Sequence, residues 1–271
     1  MDLSIVILHH GSPHDVTENL AALEKASLPE KTEIFVVNNG KAGSNDVIRP
    51  RSSKRFDLRF YEIPNLGYPQ GNNFAMKMAR GKFLCILNPD ILVEKNSFPT
   101  LLAYLKKHPR VGIVGPRLVY PDGTIQDNYR NFPYLPDLFI KRTFWRKIFT
   151  KRMRRYLMWD KDPYESEPVD WVTGAFQIYT RKCWDSVGPK DESFFLFMSD
   201  VDVCRKAWEK GFEVHYVGET QALHNDERLS AGGVADFFRK RVLRLHVKDA
   251  LRYYSKYFLK RVPRRSPSGS R

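Results

Sequence analysis

Over the first 120 residues, short apolar segments alternate with segments of helical periodicity, and this alternation strongly constrains the fold. Residues 3–8 form a nearly continuous apolar run, and residues 16–26 place Leu20 and Leu23 at helical spacing. Further strand-like segments follow at residues 33–37, 58–63, 83–87 and 111–114. Apolar strands of this kind are buried on both faces, and strands joined through helices pair in parallel. The sequence therefore predicts an α/β fold with a mostly parallel central sheet and helices on both faces.

The second half of the chain has a less regular pattern. Residues 171–179 (WVTGAFQIY) predict one strand with Gly174 in its interior. Glycine at such a position marks either a bulge or the close approach of a ligand or another backbone. Residues 201–210 predict a short helix and residues 212–217 the last clear strand, while the basic residues 141–155 are interpreted as an inserted helix.

Composition places the chain among ordinary globular proteins. With 271 residues, 42% of them hydrophobic and 28% charged, it can form one large domain or two small ones. No charged-then-apolar leader is visible, and the longest apolar runs are far shorter than a membrane span, so we expect a cytoplasmic protein. Cys85, Cys183 and Cys204 are odd in number and lack metal-site spacing, which favours buried, reduced thiols.

The net charge of +14 is concentrated in two stretches. Residues 141–155 hold eight Lys/Arg and no acid, residues 239–265 hold eleven Lys/Arg and only Asp249 as an acid, and the remaining chain nets −4. Apolar residues recur at helical spacing among these cations, which suits helices lying in the interface of an anionic membrane. The alternative is that each apolar stripe packs on the domain and the cations are solvated. The residues of the two stripes are Phe144, Trp145, Ile148, Phe149, Met153 and Leu157, and Phe238, Val242, Leu245, Leu251, Tyr254 and Phe258.

The first acidic motif is Asn88-Pro89-Asp90, directly after the apolar segment 83–87. Open α/β sheets place ligands at the carboxyl ends of their strands, and a carboxylate there suits a metal ion held against a phosphate. The alternative is a turn or N-cap aspartate. His224, beyond the strand at 212–217, is either a second ligand or a partly buried, hydrogen-bonded histidine. Two protein ligands suffice for Mg²⁺ or Mn²⁺ when a diphosphate fills other positions.

The second acidic motif follows an aromatic run, Phe194-Phe195-Leu196-Phe197-Met198-Ser199-Asp200-Val201-Asp202. An acid behind an aromatic wall suits a general base that stays unpaired and partly desolvated, so Asp200 is either this base or a helix N-cap. Asp202 suits a supporting place on the first helical turn, where the helix dipole favours negative charge. A metal-bound diphosphate and a base together predict a nucleotide-sugar transferase.

Several segments in a fixed order carry a resemblance to a known family. They are SIVIL, EIFVVNNG, NLGYPQGNN, GKFLCILNPD, VGIVGPRLVYPDGTIQ, VDWVTGAFQIYTRKCWDSVG, FFLFMSDVDVCRKAWEKGFEVHYVG and ALH. In this order the chain resembles family-2 glycosyltransferases of the GT-A fold, over about residues 3–224. It is most similar to the rhamnosyltransferase-like branch of bacterial surface-polysaccharide assembly. The resemblance implies a GT-A domain over residues 1–235, with a nucleotide-binding half at about 1–120 and an acceptor half at about 121–235. A basic amphipathic C-terminal helix and tail would follow at 236–271.

The resemblance also assigns site residues. Asp200 matches the catalytic base, Asp90 the last acid of the Asp-x-Asp metal motif, and His224 the histidine that joins the metal or the diphosphate. The cofactor would be Mg²⁺ or Mn²⁺. Contacts to the nucleotide and donor would come from His9, Asn38, Asn39, Gly67, Asn72, Asn88 and Asp90. The sugar and acceptor pocket would be lined by Trp171, Thr173, Gly174, Ala175 and Ser199.

The sequence departs from the family pattern at three of these positions. Asn38 stands where an aspartate is usual, and its amide can still pair with a pyrimidine edge. Asn88 replaces the first acid of Asp-x-Asp, which leaves Asp90 as the carboxylate ligand, and Ser199 replaces the acid before the base. The Gln-x-x-Arg-Trp motif of processive relatives is absent, which favours addition of a single sugar.

We therefore expect a metal-dependent, inverting glycosyltransferase at the cytoplasmic face of the cell membrane. It would move one sugar, rhamnose by family likeness, from a dTDP- or UDP-sugar to a hydroxyl of a lipid-linked or polysaccharide acceptor. One alternative is a sugar nucleotidyltransferase or a dinucleotide-dependent enzyme, although no Gly-x-Gly-x-x-Gly follows the first strand. Another is a basic nucleic-acid or membrane binding protein without catalysis. No recognised nucleic-acid motif is present, so no nucleic-acid partner is expected.

Overall fold

The computed structural model describes residues 1–48, 52–141, 143–225, 241–258 and 260–263. Its strands are β1 (Leu3–His9), β2 (Thr32–Asn38), β3 (Asp57–Glu62), β4 (Phe83–Leu87), β5 (Ile91–Val93), β6 (Val111–Val119), β7 (Tyr129–Arg130), β8 (Glu167–Pro168), β9 (Trp171–Val172), β10 (Phe176–Thr180) and β11 (Glu213–His224). Its helices are α1 (Pro13–Lys25), α2 (Tyr68–Met76), α3 (Ser97–Lys107), α4 (Leu135–Lys141), α5 (Trp145–Ile148), α6 (Thr150–Leu157), α7 (Arg181–Val187), α8 (Ser199–Glu209) and α9 (Arg241–Tyr257).

Within these residues one nine-stranded sheet organises the fold, in the order β3-β2-β1-β4-β10-β6-β11-β5, with β8 beside β11. The four strands β3, β2, β1 and β4 pair in parallel, as do β6 and β11. Strand β10 lies between β4 and β6 and is antiparallel to both. The predicted α/β fold with its mostly parallel sheet is confirmed, and strands β6, β11 and β5 extend the sheet beyond β10.

Hydrophobic packing covers both faces of the sheet. In β1, Val6 belongs to one buried cluster and Ile5 to the other, because adjacent strand residues point to opposite faces. Helices α1 and α3 pack on the Ile5 face, and α2, α7, α8 and α9 pack on the Val6 face. Helix α1 begins at Pro13, three residues before the predicted start, since proline is favoured in the first turn of a helix.

The prediction of a single strand over residues 171–179 is wrong. Strand β9 pairs with β7 in a separate two-stranded sheet, and β10 joins the main sheet. Between them, the Thr173 amide donates to the Asn128 carbonyl oxygen (2.8 Å) and the Gly174 amide donates to the Asp200 carboxylate (3.1 Å). The strand is interrupted between β9 and β10 because these two amides donate to groups outside any β-ladder.

The prediction of one inserted helix over residues 141–155 is also wrong. Helices α5 and α6 replace it, and the chain bends between them at Phe149, whose φ and ψ are −91° and 45°. The apolar residues of this stretch accordingly divide. Met153 and Leu157 of α6 are buried, whereas Phe144 and Ile148 are 67% and 58% exposed.

Helix α9 lies within residues 236–271, where a basic amphipathic helix and tail are predicted. Residues 226–240, 259 and 264–271, which include Phe238 of the predicted stripe, lie outside the described residues. The buried face of α9 carries Leu243, Ala250, Tyr253 and Tyr257, and the predicted stripe residues Leu251 and Phe258 are exposed. The predicted apolar stripe does not coincide with the buried face of α9, because that face also carries polar residues such as Asp249.

Two further findings bear on the expectations from composition. None of the helices in the described ranges is both long and apolar enough to cross a membrane. Cys85, Cys183 and Cys204 are free and buried, as predicted. Burial raises the pKa of the Cys204 thiol to about 12, which leaves it protonated and unreactive.

Candidate active site

Asp90 and His224 lie together although 134 residues separate them in the sequence. Asp90 occupies the turn between β4 and β5, and β5 pairs antiparallel with β11 so that His224 faces Ile91. This register places His224 Nε2 3.5 Å from Asp90 Oδ2, and the Asn225 amide donates to the Asp90 carbonyl oxygen (3.1 Å). The two residues predicted as metal ligands are therefore neighbours at the end of the sheet.

Gln126, which the sequence analysis missed, orients His224. Its Nε2 donates to the His224 carbonyl oxygen (3.1 Å), so its Oε1 faces the ring Nδ1 at 2.8 Å as the acceptor. Nδ1 then carries the ring proton of the neutral imidazole, and Nε2 keeps a free lone pair on the side of Asp90. Histidines that bind metal ions are commonly fixed in this way through the other ring nitrogen.

The donor set at this position suits a cation that substrate oxygens help to bind. Asp90 Oδ1 is buried and has no hydrogen-bond partner among the described residues, and such an atom requires a ligand or water. The searched part of the chain contains no group of three or more His, Cys, Asp and Glu side chains that could hold a metal ion. One carboxylate and one imidazole fit Mg²⁺ or Mn²⁺ if diphosphate oxygens supply the remaining ligands.

Tyr68 connects the first acidic motif with the second. Its hydroxyl lies 2.9 Å from the Gly174 carbonyl oxygen and 3.2 Å from Asn88 Oδ1. Burial, helped by the nearby negative charges of Asp200 and Asp90, raises the pKa of Tyr68 well above its ordinary value. The hydroxyl therefore stays protonated and can donate to either oxygen. Sequence reasoning missed this residue, although it stands in the segment NLGYPQGNN.

Gly67 permits the close contact that holds Tyr68 in place. Its φ of +118° favours glycine, and a Cβ added there would lie 2.6 Å from the Phe195 carbonyl oxygen. The Tyr68 amide donates to that same oxygen at 2.7 Å. The start of α2 is thereby fixed to the aromatic run that precedes Asp200.

Asp200 lies in the first turn of α8 and is not its N-cap, since Met198 occupies that position. Gly174 N donates to Asp200 Oδ2 (3.1 Å) and Val201 N donates to Oδ1 (2.9 Å). The expectation of an unpaired carboxylate is therefore wrong. Each carboxylate oxygen can accept two hydrogen bonds, so a half-buried Asp200 held by two amides still has free acceptor positions.

Of the predicted acceptor residues, Gly174 contacts the Asp200 side chain, and most of the others are buried. A Cβ added at Gly174 would lie 3.3 Å from the Tyr68 hydroxyl oxygen, a tight contact, and 3.5 Å from Asp200 Cβ, an ordinary one, so the glycine makes room for the Tyr68 side chain. Trp171 is nearly fully buried, donates from Nε1 to the Asn131 carbonyl oxygen (2.9 Å) and carries the Arg130 guanidinium over its ring. Ala175 and Ser199 are buried too, and Thr173 is half-buried.

The predicted nucleotide residues lie at the ends of β1 and β2 and in α2. Asn38 is buried, with its amide used in its own turn, where Gly40 N donates to Oδ1 and Nδ2 donates to the Lys41 carbonyl oxygen. Burial lowers the pKa of His9, so this ring is neutral. Within the part of the chain that the structure describes, three buried atoms here lack a hydrogen-bond partner, which suits a polar ligand. They are His9 Nδ1, Asn39 Oδ1 and Asn72 Oδ1.

The α/β architecture with its mostly parallel central sheet is that of the GT-A fold. The profile of glycosyl transferase family 2 matches residues 4–166, and the chain belongs to that family. This membership confirms the family resemblance that the sequence predicted.

Two curated relatives and one solved structure are similar to the chain. N-acetylglucosaminyl-diphospho-decaprenol L-rhamnosyltransferase of Mycobacterium tuberculosis is 29% identical over 147 residues, which cover 53% of this chain and 47% of the relative. The chain thus spans about half the length of that relative. Rhamnosyltransferase WbbL of Escherichia coli is 24% identical over 202 residues, 70% of each chain. The crystal structure of GalNAc-T7 with UDP, GalNAc and Mn²⁺ has a TM-score of 0.60 at 14% identity, covering 82% of this chain and 43% of that one.

Proposed function

We propose that this glycosyltransferase moves one sugar from a dTDP- or UDP-sugar to a hydroxyl of a lipid-linked or polysaccharide acceptor in cell-surface glycan synthesis. The observation that carries the proposal is a chain of contacts that links the Asp90–His224 pair with Asp200. The Tyr68 hydroxyl contacts Asn88, two residues before Asp90, and the carbonyl oxygen of Gly174, whose amide donates to Asp200. The names of the two relatives support rhamnose as the sugar, and one of them names a diphosphate-linked lipid acceptor.

Asp90 and His224 are the residues that would hold Mg²⁺ or Mn²⁺ in this proposal, and the Mn²⁺ in the GalNAc-T7 crystal supports a divalent ion. Such an ion stabilises negative charge that grows on the departing diphosphate. Gln126 keeps His224 Nε2 directed to this position, and the free Oδ1 of Asp90 is available to the same ligand.

Asp200 is the proposed base. The amides of Gly174 and Val201 fix the carboxylate, and a free acceptor position on it takes the proton of the acceptor hydroxyl. The resulting oxygen nucleophile attacks the anomeric carbon opposite to the departing diphosphate, so the anomeric centre is inverted. One sugar is transferred per binding event.

The proposed place of action is the inner face of the cell membrane, where the enzyme would attach as a peripheral protein. Helix α5 and its neighbour Phe144 form an exposed aromatic surface, with Phe144 and Trp145 stacked at 4.6 Å and with the exposed Arg146 and Lys147 beside them. Each cation near an anionic bilayer contributes about 1 kcal/mol, so several can hold the enzyme beside a lipid-linked acceptor.

A thermal-shift panel tests the proposed donor. UDP-, dTDP- and GDP-sugars are each added with Mn²⁺, with Mg²⁺ or with EDTA, and the unfolding midpoint is recorded. We expect the pyrimidine nucleotides to stabilise the protein only when a divalent ion is present, by about 2.7 kcal/mol at 100 times the Kd. Stabilisation by GDP-sugars alone, or by none of the donors, would contradict the proposed donor class.

A further inference from the structure

Helix α9 holds the backbone of the segment that leads to the proposed base. The Asp249 carboxylate is fully buried and accepts hydrogen bonds from three consecutive amides, those of Phe195 (3.1 Å), Leu196 (3.0 Å) and Phe197 (2.9 Å). Residues 195–197 belong to neither a helix nor a strand, so their amides have no ladder partners. A row of backbone amides around one carboxylate is a strong anion site, and it fixes the path of this segment.

Helix α9 also contacts a residue that follows the base in the sequence. Asp202, two residues after Asp200 and fully buried, receives Lys256 Nζ at 2.6 Å and the Tyr257 hydroxyl at 2.8 Å. Lys256 Nζ also contacts Asp191 at 2.6 Å. The Arg205 guanidinium of α8 stacks 3.9 Å over the Tyr257 ring. Asp200 thus lies between two anchors that both come from α9.

A third contact fixes the same segment from the side of α2. The Phe195 carbonyl oxygen accepts the Tyr68 amide at 2.7 Å, while the Phe195 amide donates to Asp249. The peptide units on the two sides of Phe195 are therefore fixed to different elements, α2 and α9. The segment before Asp200 is therefore held between α9 and Tyr68, whose hydroxyl contacts Asn88 of the first acidic motif.

We propose that Asp249 is a positioning residue, which acts with Lys256 and Tyr257 of α9 to hold Asp200 where it meets the acceptor hydroxyl. This inference rests on the proposed role of Asp200 as the base. Asp249 touches neither substrate nor metal in this account. An asparagine in its place can keep one oxygen for these amides, but it loses the negative charge and turns an NH₂ group toward the Phe195 amide, so the segment is held less firmly while the shape of the side chain is kept.

The test compares Asp249→Asn with Asp185→Asn, the same change at an exposed carboxylate of α7. For each variant, turnover, the KM for the acceptor, the Kd for the nucleoside diphosphate and the unfolding midpoint are measured. We expect Asp249→Asn to lower kcat about 10- to 100-fold, because an error of about 1 Å in position has effects of this size, with the nucleotide Kd unchanged. Asp185→Asn should match the wild type. A folded Asp249→Asn enzyme with wild-type kcat, or with kcat and nucleotide binding lost in parallel, would overturn the inference.

Two further variants keep the test decisive. If Asp249→Asn does not fold, Tyr257→Phe decides, since it removes only the hydroxyl that contacts Asp202. It must lower kcat without changing the nucleotide Kd, and wild-type kcat would again overturn the inference. Asp200→Asn is measured in parallel. If Asp200→Asn is inactive and Asp249→Asn is fully active, the positioning role of Asp249 is wrong and the assignment of the base stands. If Asp200→Asn is active, the assignment of the base is wrong.

Discussion

Individual side chains in this site depend on partners from distant parts of the chain. His224 is directed by Gln126, Asp200 by the amide of Gly174, and Asn88 by the hydroxyl of Tyr68. We propose that the Asp90–His224 pair and Asp200 carry the chemistry, and that their partner groups fix the orientation of the side chains. Substitutions at the metal-binding end and at the base should therefore affect different measurable quantities.

Asp90→Ala and His224→Ala should both weaken Mn²⁺ binding, measured by calorimetric titration in the presence of the nucleoside diphosphate. We expect the larger loss for Asp90→Ala because the carboxylate contributes a formal negative charge and the neutral imidazole does not. Asp122→Ala, in an exposed turn, is the matched control and should titrate like the wild type. Unchanged Mn²⁺ affinity in the Asp90 variant would remove the metal assignment.

The sequence indicated Asp90, His224 and Asp200 because each stands at a recognisable end of an element or of an aromatic run. It did not indicate Gln126 or Tyr68 as partners. The contact of Gln126 depends on where β11 ends relative to β5, and the contact of Tyr68 depends on the turn between β9 and β10. Such contacts join residues more than 90 positions apart and leave no local pattern.

The elements of the parallel half were predictable, since apolar runs with turn residues behind them identify strands such as β4 directly. The elements of the second half were harder to predict from the sequence. Residues 171–179 read as one strand, but the Gly174 amide turns away to Asp200. In α9, the buried carboxylate of Asp249 and the half-buried ammonium of Lys256 contact α8 and the segment before it, and a search for apolar stripes assigns those positions to solvent. In both places tertiary hydrogen bonds override local periodicity.

Helix α5 gives the clearest test of membrane attachment. The double variant Phe144→Ser/Ile148→Ser should reduce sedimentation with vesicles that contain anionic lipid, because both side chains are exposed and available to insert. Wild-type binding should also fall as salt is added. Tyr164→Ser, at another exposed aromatic residue, is the control. Equal recovery of the wild type with neutral and anionic vesicles would exclude this mode of attachment.

The chain as a whole should lose stability in mild acid. Burial lowers the pKa of His215, despite the neighbouring Glu213 carboxylate, and Tyr104, Arg110 and His108 complete its surroundings. The unfolded chain binds a proton at this histidine near pH 6.5, while the folded chain does so only at lower pH. The contribution of neutral His215 to the free energy of unfolding is therefore fully present above about pH 6.5. It is lost as the pH drops towards the folded-state pKa, by about 1.4 kcal/mol per unit of pKa difference.

Urea unfolding at pH 8.0, 6.5 and 5.5 measures this effect. The free energy of unfolding of the wild type should fall between pH 6.5 and 5.5, and His215→Gln should reduce that fall because it removes the titrating group. His14→Gln, at an exposed histidine, should leave the pH dependence unchanged. Identical slopes for His215→Gln and the wild type would show that other groups cause the acid sensitivity.

The turnover of Asp200→Asn tests the proposed chemistry. Sugar transfer to the acceptor is measured beside the Kd for the nucleoside diphosphate with Mn²⁺, with Asp185→Asn as the control. The asparagine keeps the shape of the side chain but cannot accept the proton of the acceptor hydroxyl. We expect transfer to fall by about 10²-fold or more, with the nucleotide Kd nearly unchanged. Turnover near that of the wild type would contradict the account, because the proton would then be accepted elsewhere.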